Sequence, residues 1–163
     1  MSNAEAGTTH VVRSVDELRQ YIGQTCGVSD WLEITQERVN LFADATGDHQ
    51  YIHVDPERAA KTFFGGPIAH GFLTLSLIPQ LGAMRVEGIK LELGGRMGVN
   101  YGLNKVRFPA PVRVGKLIRM HSKLLSVEEI GDRAIQTTWQ QTIEVEGEEK
   151  PACVAETVGR TYF

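Results

Sequence analysis

One uncharged segment limits the architectures open to this chain more than any other feature. Residues 67–84, PIAHGFLTLSLIPQLGAM, contain no Asp, Glu, Lys or Arg. The segment is too long for a typical strand, and a helix that is apolar almost all round belongs inside a protein. We therefore predict a helix over 67–84 that is buried on nearly all sides. Pro79 predicts a kink or an early end within it, because proline lacks the backbone N–H that a helix interior needs.

After residue 96 the pattern changes to that of strands. Runs rich in alternating or β-branched residues lie at about 97–108, 112–127, 132–147 and 151–162. Glycines at 115, 131 and 147 mark the turns between them. Helices followed by antiparallel strands indicate an α+β domain. A long apolar helix before such a meander predicts a curved sheet wrapped around that helix.

The start of the chain predicts one leader and one domain. We expect residues 1–13 to be a flexible leader and residues 14–163 to form a single domain, because 163 residues favour one domain over two. Ser14 and Glu17 are spaced as in a capping box, which predicts the start of a helix over 14–22.

The next segment predicts a strand and two short helices. Residues 31–34 (WLEI) are typical of a short strand, and Thr35 caps a helix that stops at Gly47. Residues 47–54 are predicted to form a loop between helices. Residues 55–57 (DPE) open the next helix, with aspartate as the cap and proline at the first helical position.

Composition excludes several classes of protein. The net charge of −3 argues against a nucleic-acid partner, since phosphate binding needs a clustered basic surface. The chain has no uninterrupted apolar stretch long enough for a membrane helix. Its first residues lack the apolar core of a secretory signal, so we expect a cytoplasmic location. Cys26 and Cys153 are far apart and match no zinc-site spacing, and we expect both thiols to be reduced.

The segment GDHQYIHVD, residues 47–55, is the most informative one for chemistry. Asp48 and His53 lie five positions apart in a turn-prone stretch. A carboxylate and an imidazole held in one cleft can share an acid–base cycle, one removing a proton from water while the other delivers a proton to carbon. The alternative is that Asp48 is a turn or cap residue and His53 a hydrogen-bonded loop histidine.

A second segment, GPIAHGF at residues 66–72, places Gly71 at the start of the apolar helix. A helix N-terminus presents unpaired backbone N–H groups and the positive end of the helix dipole. Such donors can hold a thioester carbonyl oxygen as it gains negative charge, and a glycine lets the acyl group approach the backbone. Alternatively, Gly71 only permits close packing of helix and sheet. His70 is expected to pack or to donate a hydrogen bond rather than to act as a second catalyst.

Together with a third segment, these motifs resemble a known family. GDHQYIHVD, then GGPIAHGFLT, then YGLNKVRFPAPVRVG are similar to the MaoC-like dehydratases, which include (R)-specific enoyl-CoA hydratases, over about residues 30–160. The resemblance implies an α+β hot-dog fold, an antiparallel sheet wrapped around a long central helix, and dimers whose sheets join edge to edge. It also implies that Asp48 and His53 are the catalytic pair and that Gly71 supplies the oxyanion N–H. The family's usual loop has an Asn-Pro step where this chain has Gln50-Tyr51, and the Gln50 amide can hydrogen-bond as asparagine does.

The substrate suggested by this resemblance is an acyl-CoA thioester. Phe72 and Leu75 are expected to line a tunnel for the acyl chain, and Tyr101 and Asn104 to lie near it. Lys105 and Arg107 either contact the phosphates of coenzyme A or face water, as exposed cations on strands usually do. The segment that contains them, 104–108 followed by Pro109 and Pro111, is also consistent with a strand that ends in a bulge.

The sequence thus predicts an enoyl-CoA hydratase, a lyase that adds water to trans-2-enoyl-CoA to give (R)-3-hydroxyacyl-CoA, and the reverse dehydration. We expect no metal or redox cofactor. We expect a homodimer, because an open sheet edge that no partner covers is an aggregation site. Two alternatives are a thioesterase of the same fold and a non-catalytic acyl-CoA-binding or dimer-partner protein. The absence of a carboxylate in residues 71–84 argues against the first, and the presence of both Asp48 and His53 against the second.

Overall fold

The computed structural model describes residues 10–163, which form eight strands and six short helices. The strands are β1 (His10–Val12), β2 (Thr25–Ser29), β3 (Leu32–Glu33), β4 (Arg85–Leu91), β5 (Met97–Arg107), β6 (Leu117–Ile130), β7 (Ala134–Val145) and β8 (Cys153–Tyr162). The helices are α1 (Val15–Arg19), α2 (Gln36–Thr46), α3 (Tyr51–Val54), α4 (Pro56–Ala59), α5 (Gly71–Ser76) and α6 (Ile78–Ala83).

The strands form one sheet in the order β1-β4-β2-β6-β7-β8-β5, with β3 paired to β6. All neighbours are antiparallel except β1 and β4, which are parallel. The three longest pairings, β6 with β7, β7 with β8 and β5 with β8, come from the second half of the chain. The architecture is therefore α+β, as the sequence predicts.

The predicted central helix is shorter than expected and is broken. Residues 67–70 are not helical, and Ile68 forms a single bridge to Arg113. The helix begins at Gly71 and divides at Leu77 into α5 and α6, two residues before Pro79. Proline cannot donate to the carbonyl four residues earlier, so the break falls where that bond is missing.

The expectation that this helix is buried on nearly all sides is wrong for the single chain. Leu73, Leu77 and Leu81, four residues apart, share one helix face and lie in the main core. They pack with residues of β6, β7 and β8, namely Ile118, Met120, Ile143, Val145, Cys153 and Ala155. On the other face Phe72 is 68% exposed, because the sheet of one chain covers only one side of the helix.

The start of the described chain corrects the predicted leader. Residues 1–9 lie outside the described residues, but His10–Val12 form strand β1 on β4, and the Val12 side chain is fully buried. Val12 packs in a second, smaller core with Leu18, Cys26 and Ile89. Ordered structure therefore begins before residue 14, because a buried valine ties this segment to the sheet.

The predicted helix caps are confirmed in position. The Ser14 hydroxyl accepts from the Glu17 N–H, as expected for a cap. The Glu17 carboxylate accepts from the Arg13 N–H rather than from the Ser14 N–H. This helix, α1, ends at Arg19 instead of residue 22. Thr35 caps α2 by accepting from the Arg38 N–H.

The segment after α2 is more helical than expected. Gly47 ends α2 with a φ of +79°, a conformation that favours glycine. Residues 51–54 form the helical turn α3 rather than a loop, and Asp55 caps α4 by accepting from the Arg58 N–H. The predicted loop is therefore a short stretch around Asp48.

Besides β1, two further strands, β2 and β4, are absent from the sequence prediction. Gly27 and Gly88 are paired at the centre of these strands, and a Cβ on Gly88 would collide with the Cys26 carbonyl. Glycines inside a strand hide the alternating pattern. The run predicted at 112–127 is also displaced, since β6 begins at Leu117 and continues to Ile130.

No helix within residues 10–163 is long and apolar enough to cross a membrane. Both cysteines, Cys26 and Cys153, are buried free thiols, as the sequence predicts. Burial raises the pKa of the Cys153 thiol to about 11.

Candidate active site

The structure brings Asp48 and His53 together. Asp48 follows the left-handed Gly47 that ends α2, and His53 lies on α3. A carboxylate oxygen of Asp48, a ring nitrogen of His53 and a ring nitrogen of His70 lie within 4.8 Å of one another. The Asp48 side chain is exposed, whereas His53 is only 6% exposed. The pair therefore combines an accessible carboxylate with a buried imidazole.

Hydrogen bonds determine which nitrogen of His53 can react. Nδ1 lies 2.7 Å from the Ile68 carbonyl oxygen, and because a carbonyl only accepts, Nδ1 carries the proton. The other nitrogen, Nε2, then keeps its lone pair. The backbone carbonyl of His53 accepts from the Gln36 Nε2 at 2.8 Å, which holds the residue from the α2 side.

Burial also keeps the His53 ring neutral. Loss of hydration lowers the pKa of His53 below its ordinary value of 6.5, and the neighbouring His70 acts in the same direction. The hydrogen bond to Ile68 and the charge of Asp48 oppose this shift. A neutral imidazole with a free Nε2 can accept a proton near neutral pH.

His70 links the two sequence motifs. It is 3% exposed, and its ring stacks on that of His53 with centroids 3.8 Å apart. Its Nε2 donates to the backbone oxygen of Asp48 at 2.9 Å, while its Nδ1 is buried without a partner. This is the packing and hydrogen-bonding role expected from the sequence, and it positions both Asp48 and His53.

Gly71 is the first residue of α5, next to His70. The N–H groups of the first helical turn have no acceptor within the helix, so they are free to bind an oxygen. A Cβ on Gly71 would lie 3.0 Å from the Phe108 ring. Phe108 occupies that space, so close packing, the alternative raised by the sequence, accounts for a glycine at this position.

An open cavity of about 620 Å³ lies between the helices α5 and α6 and the strands β5, β7 and β8. Leu75 and Tyr101 line it, as does Ile78. Leu75 is four residues beyond Gly71, about 6 Å along a helix axis. Phe72 lies outside this lining and packs edge-to-face on Phe108, with ring centroids 5.9 Å apart.

The remaining predicted residues lie on the surface. Asn104, Lys105 and Arg107 are exposed on β5. Lys105 Nζ is 3.5 Å from a Glu156 carboxylate oxygen, and Arg107 donates to the Val106 carbonyl. These three residues are not brought into contact with the Asp48–His53 pair.

Gln50 reaches the site through its backbone. It is the residue before α3, and its backbone N–H donates to Asp48 Oδ1 at 3.4 Å. This long hydrogen bond lies within the turn that follows Gly47.

Sequence reasoning missed Gln36 and Phe108. Gln36 holds the His53 carbonyl from 17 positions away, and Phe108 packs on Gly71 from another element. Neither residue belongs to a local pattern with its partner, so only the tertiary structure reveals these contacts.

The spacing of Asp48, His53 and His70 raises the question of a metal site. A metal bound by histidine lies about 2.0–2.1 Å from the nitrogen, close to the plane of the ring. The rings of His53 and His70 are stacked with an angle of 26° between their planes, so one ion cannot lie near both planes at that distance. The two histidines therefore do not fit a shared metal without rotation of one ring.

Comparison with known proteins gives consistent matches. A family described as "MaoC like domain" matches residues 17–146. A protein of Mycobacterium tuberculosis named 3-hydroxyacyl-thioester dehydratase Z is 57% identical over 149 residues, covering 90% of this chain and 95% of the relative. Nodulation protein N of Rhizobium leguminosarum bv. viciae is 46% identical over 143 residues, covering 87% of each chain.

Solved structures share the fold. A structure described as a monoamine oxidase regulatory protein from Archaeoglobus superposes with a TM-score of 0.75 at 21% identity, covering 95% of this chain and 97% of the other. An (R)-hydratase from A. caviae, described as involved in PHA biosynthesis, superposes with a TM-score of 0.66 at 25% identity, covering 83% and 95%.

Proposed function

Because this chain belongs to the MaoC-like dehydratase family, we propose that it hydrates trans-2-enoyl thioesters to (R)-3-hydroxyacyl thioesters and catalyses the reverse dehydration. The chain is a dehydratase with the hot-dog fold, as the sequence predicts. The 57% identity to a protein named for 3-hydroxyacyl thioesters supports the thioester substrate. The likeness to an (R)-hydratase supports the stereochemistry.

The observation that carries this proposal is the state of the Asp48–His53 pair. The Ile68 carbonyl holds the proton of His53 on Nδ1, and burial keeps the ring neutral. An accessible carboxylate and a free imidazole nitrogen therefore share one small space. A water molecule between them is within reach of His53 Nε2, which can accept its proton, and of the Asp48 carboxylate, which can carry that proton to carbon.

In the hydration direction, His53 Nε2 removes a proton from this water while the oxygen attacks the β-carbon of the enoyl group. Electrons move through the double bond toward the thioester oxygen. The proton gained by His53 passes to the Asp48 carboxylate, which delivers it to the α-carbon. Both side chains return to their starting states, so one H and one OH are added in total.

The negative charge on the thioester oxygen needs a donor. We assign this role to the Gly71 N–H, the first backbone donor of α5, next to the His70 that stacks on His53. The thioester itself delocalises the developing charge, so the proposed steps need no metal or redox cofactor.

The acyl chain is proposed to run from Gly71 past Leu75 into the cavity that Tyr101 also lines. Lys105 and Arg107, exposed on β5, are proposed to contact the phosphates of the thioester carrier, with Asn104 beside them. The Gln50 amide is proposed to take the place of the family's asparagine in the catalytic loop.

A homodimer is proposed to form along β5. This strand is the edge of the sheet and pairs only with β8 among the described strands. Its apolar residues Met97, Val99, Tyr101 and Leu103 are all exposed. An exposed apolar edge strand is an aggregation site unless another strand covers it.

The test is a turnover assay with trans-2-enoyl-CoA of several chain lengths, followed by chiral analysis of the product. We expect loss of the conjugated enoyl absorbance and formation of the (R)-3-hydroxy product with no release of thiol. Release of free thiol would indicate a thioesterase instead. A purely (S) product, or no reaction at any chain length, would contradict the proposed function.

A further inference from the structure

The cavity beside α5 contains a buried amide that the hydration chemistry does not use. Gln141 on β7 lines the cavity and is only 7% exposed. A saturated hydrocarbon tail needs only apolar walls, which Leu75, Leu103 and Ile78 supply. A buried amide in such a wall therefore calls for an explanation.

A neighbouring serine determines how this amide is oriented. Ser122 on β6 lies directly opposite Gln141 in the sheet register, and its hydroxyl donates to Gln141 Oε1 at 2.6 Å. Ser122 is itself almost fully buried. With Oε1 held by Ser122, the other end of the amide, Nε2, donates to no acceptor within the described residues 10–163. Since Gln141 lines the cavity, Nε2 is available to a molecule that occupies it.

The sheet register locates this donor relative to the catalytic pair. Gln141 lies opposite Ala155, which lies opposite Val106 on β5. Val106 precedes Phe108, the residue packed on Gly71, by two positions, about 7 Å along a strand. Two further rows of residues cross the same strands at increasing distance from Phe108. The nearer row is Trp139, Thr157 and Leu103, and the farther row is Thr137, Gly159 and Asn100. Gln141 is therefore in the row of the cavity nearest the catalytic pair, beside a part of the acyl chain several carbons beyond the reacting double bond.

We propose that Gln141 is a specificity residue that selects acyl chains carrying an oxygen, as a keto or hydroxyl group, beyond the reacting double bond. This rests on the proposed function. The oxygen accepts from Gln141 Nε2, and a plain methylene at that position leaves a buried N–H without a partner. An unpaired buried donor lowers binding by about tenfold or more, and a site built to bind a substrate oxygen rejects the analogue that lacks it.

The test compares trans-2-decenoyl-CoA with analogues that carry one keto group at C6, C7, C8 or C9. For the wild-type protein we expect kcat/KM to be about tenfold higher for at least one keto analogue than for the parent compound. In Gln141→Leu this preference should disappear or reverse, because leucine favours the methylene. Ser122→Ala keeps the donor but releases the amide, so a smaller loss of preference is expected.

Gln140→Leu is the matched control. Gln140 is the next residue on the same strand and points to the opposite face of the sheet, so its substitution should leave the preference unchanged. Isothermal titration calorimetry with the saturated decanoyl-CoA and keto-decanoyl-CoA analogues measures the effect of the same hydrogen bond on affinity, without turnover. Equal affinity of the wild-type protein for both classes, with no change in Gln141→Leu, would overturn the inference. Tight binding of the keto compounds without hydration of any enoyl-CoA would instead contradict the proposed function and leave the oxygen contact supported.

Discussion

Two regions of the molecule are built in different ways. One is residues 47–71, called the catalytic segment because it contains the proposed catalytic residues, and the other is the set of cavity strands β5, β7 and β8. In the catalytic segment the key side chains bond to backbone carbonyls of the same segment: His53 to Ile68, and His70 to Asp48. The Ile68 N–H also donates to the Ile52 carbonyl at 3.0 Å, so the two motifs are joined by backbone as well.

The cavity strands depend on long-range pairing instead. β5 has two register shifts against β8 and is exposed along nearly its whole length. The cavity wall that β5 forms depends on what packs against this edge strand. It also depends on the register that aligns residues of β5, β8 and β7. In the proposed function, the acid–base chemistry therefore depends on one segment held together by local hydrogen bonds, whereas substrate selection depends on residues from distant strands. Substitutions in the two regions should therefore affect different kinetic constants.

The largest expected effect belongs to the catalytic pair. Asp48→Asn and His53→Gln keep the shape of the side chains but remove their capacity for proton transfer. Each should lower kcat by on the order of 10²–10⁴-fold, the usual contribution of a positioned acid or base, with little change in KM. Steady-state kinetics measures this, with circular dichroism as the check on folding. Near-normal turnover in either folded variant would return that residue to a turn-forming or purely structural role.

The next effect concerns the junction of the two regions, where Phe108 packs on Gly71. In Gly71→Ala the new Cβ would lie 3.0 Å from the Phe108 ring. Overpacking of this kind costs about 1–3 kcal/mol in the free energy of unfolding. Urea unfolding measures it, and Gly71→Ala combined with Phe108→Ala should be less destabilised than the sum of the single variants. Additive losses would show that the two residues are not coupled.

A smaller effect is expected from the sheet edge. Val99→Lys places a charge on β5 and should weaken the proposed dimer without altering the catalytic segment. Light scattering should give twice the chain mass of 18.0 kDa for the wild-type protein and a lower value for the variant at the same concentration. Val86→Lys, at another exposed valine but on β4, is the control and should remain dimeric. A wild-type mass of one chain at micromolar concentration would rule out the dimer.

The pH dependence should report on the catalytic segment alone. Burial lowers the pKa of His53 below 6.5. Since the neutral ring is the proposed base, kcat/KM should be constant above the folded-state pKa and fall as the pH drops through it, so the acid limb lies below pH 6.5. His70→Gln removes a neighbour that lowers this pKa and should move the limb to higher pH. An acid limb above 6.5 in the wild-type protein would contradict the assignment of neutral His53 as the base.

The smallest expected effect is that of a chelator. The stacked rings of His53 and His70 do not fit a shared ion, and the proposed steps use no Lewis acid. Prolonged dialysis against EDTA should leave kcat unchanged. A loss of activity that added Zn²⁺ or Mg²⁺ restores would require a metal in the catalytic segment.

The same contrast explains what the sequence could predict. The caps at Thr35 and Asp55 are local signals, and the structure confirms them. The proximity of Asp48 and His53 also follows from a short segment. Local chemistry of caps, turns and motifs acts over a few residues, so it can be read from sequence.

The missed features depend on strand register. The opposition of Ser122 and Gln141 requires the pairing of β6 with β7, and a shift of one residue would move Gln141 to the other face. The exposure of Phe72 depends on which side of the helix one sheet can cover. Neither can be derived from periodicity in one segment.

The most direct test of the account is the double variant Asp48→Asn, His53→Gln measured beside the two single variants. If both groups act on one water in one step, the double variant should have a kcat within a few-fold of the poorer single variant, because residues that act as a unit are strongly non-additive. A kcat reduced by the product of the two single effects would show that Asp48 and His53 act independently, and would contradict the shared acid–base cycle.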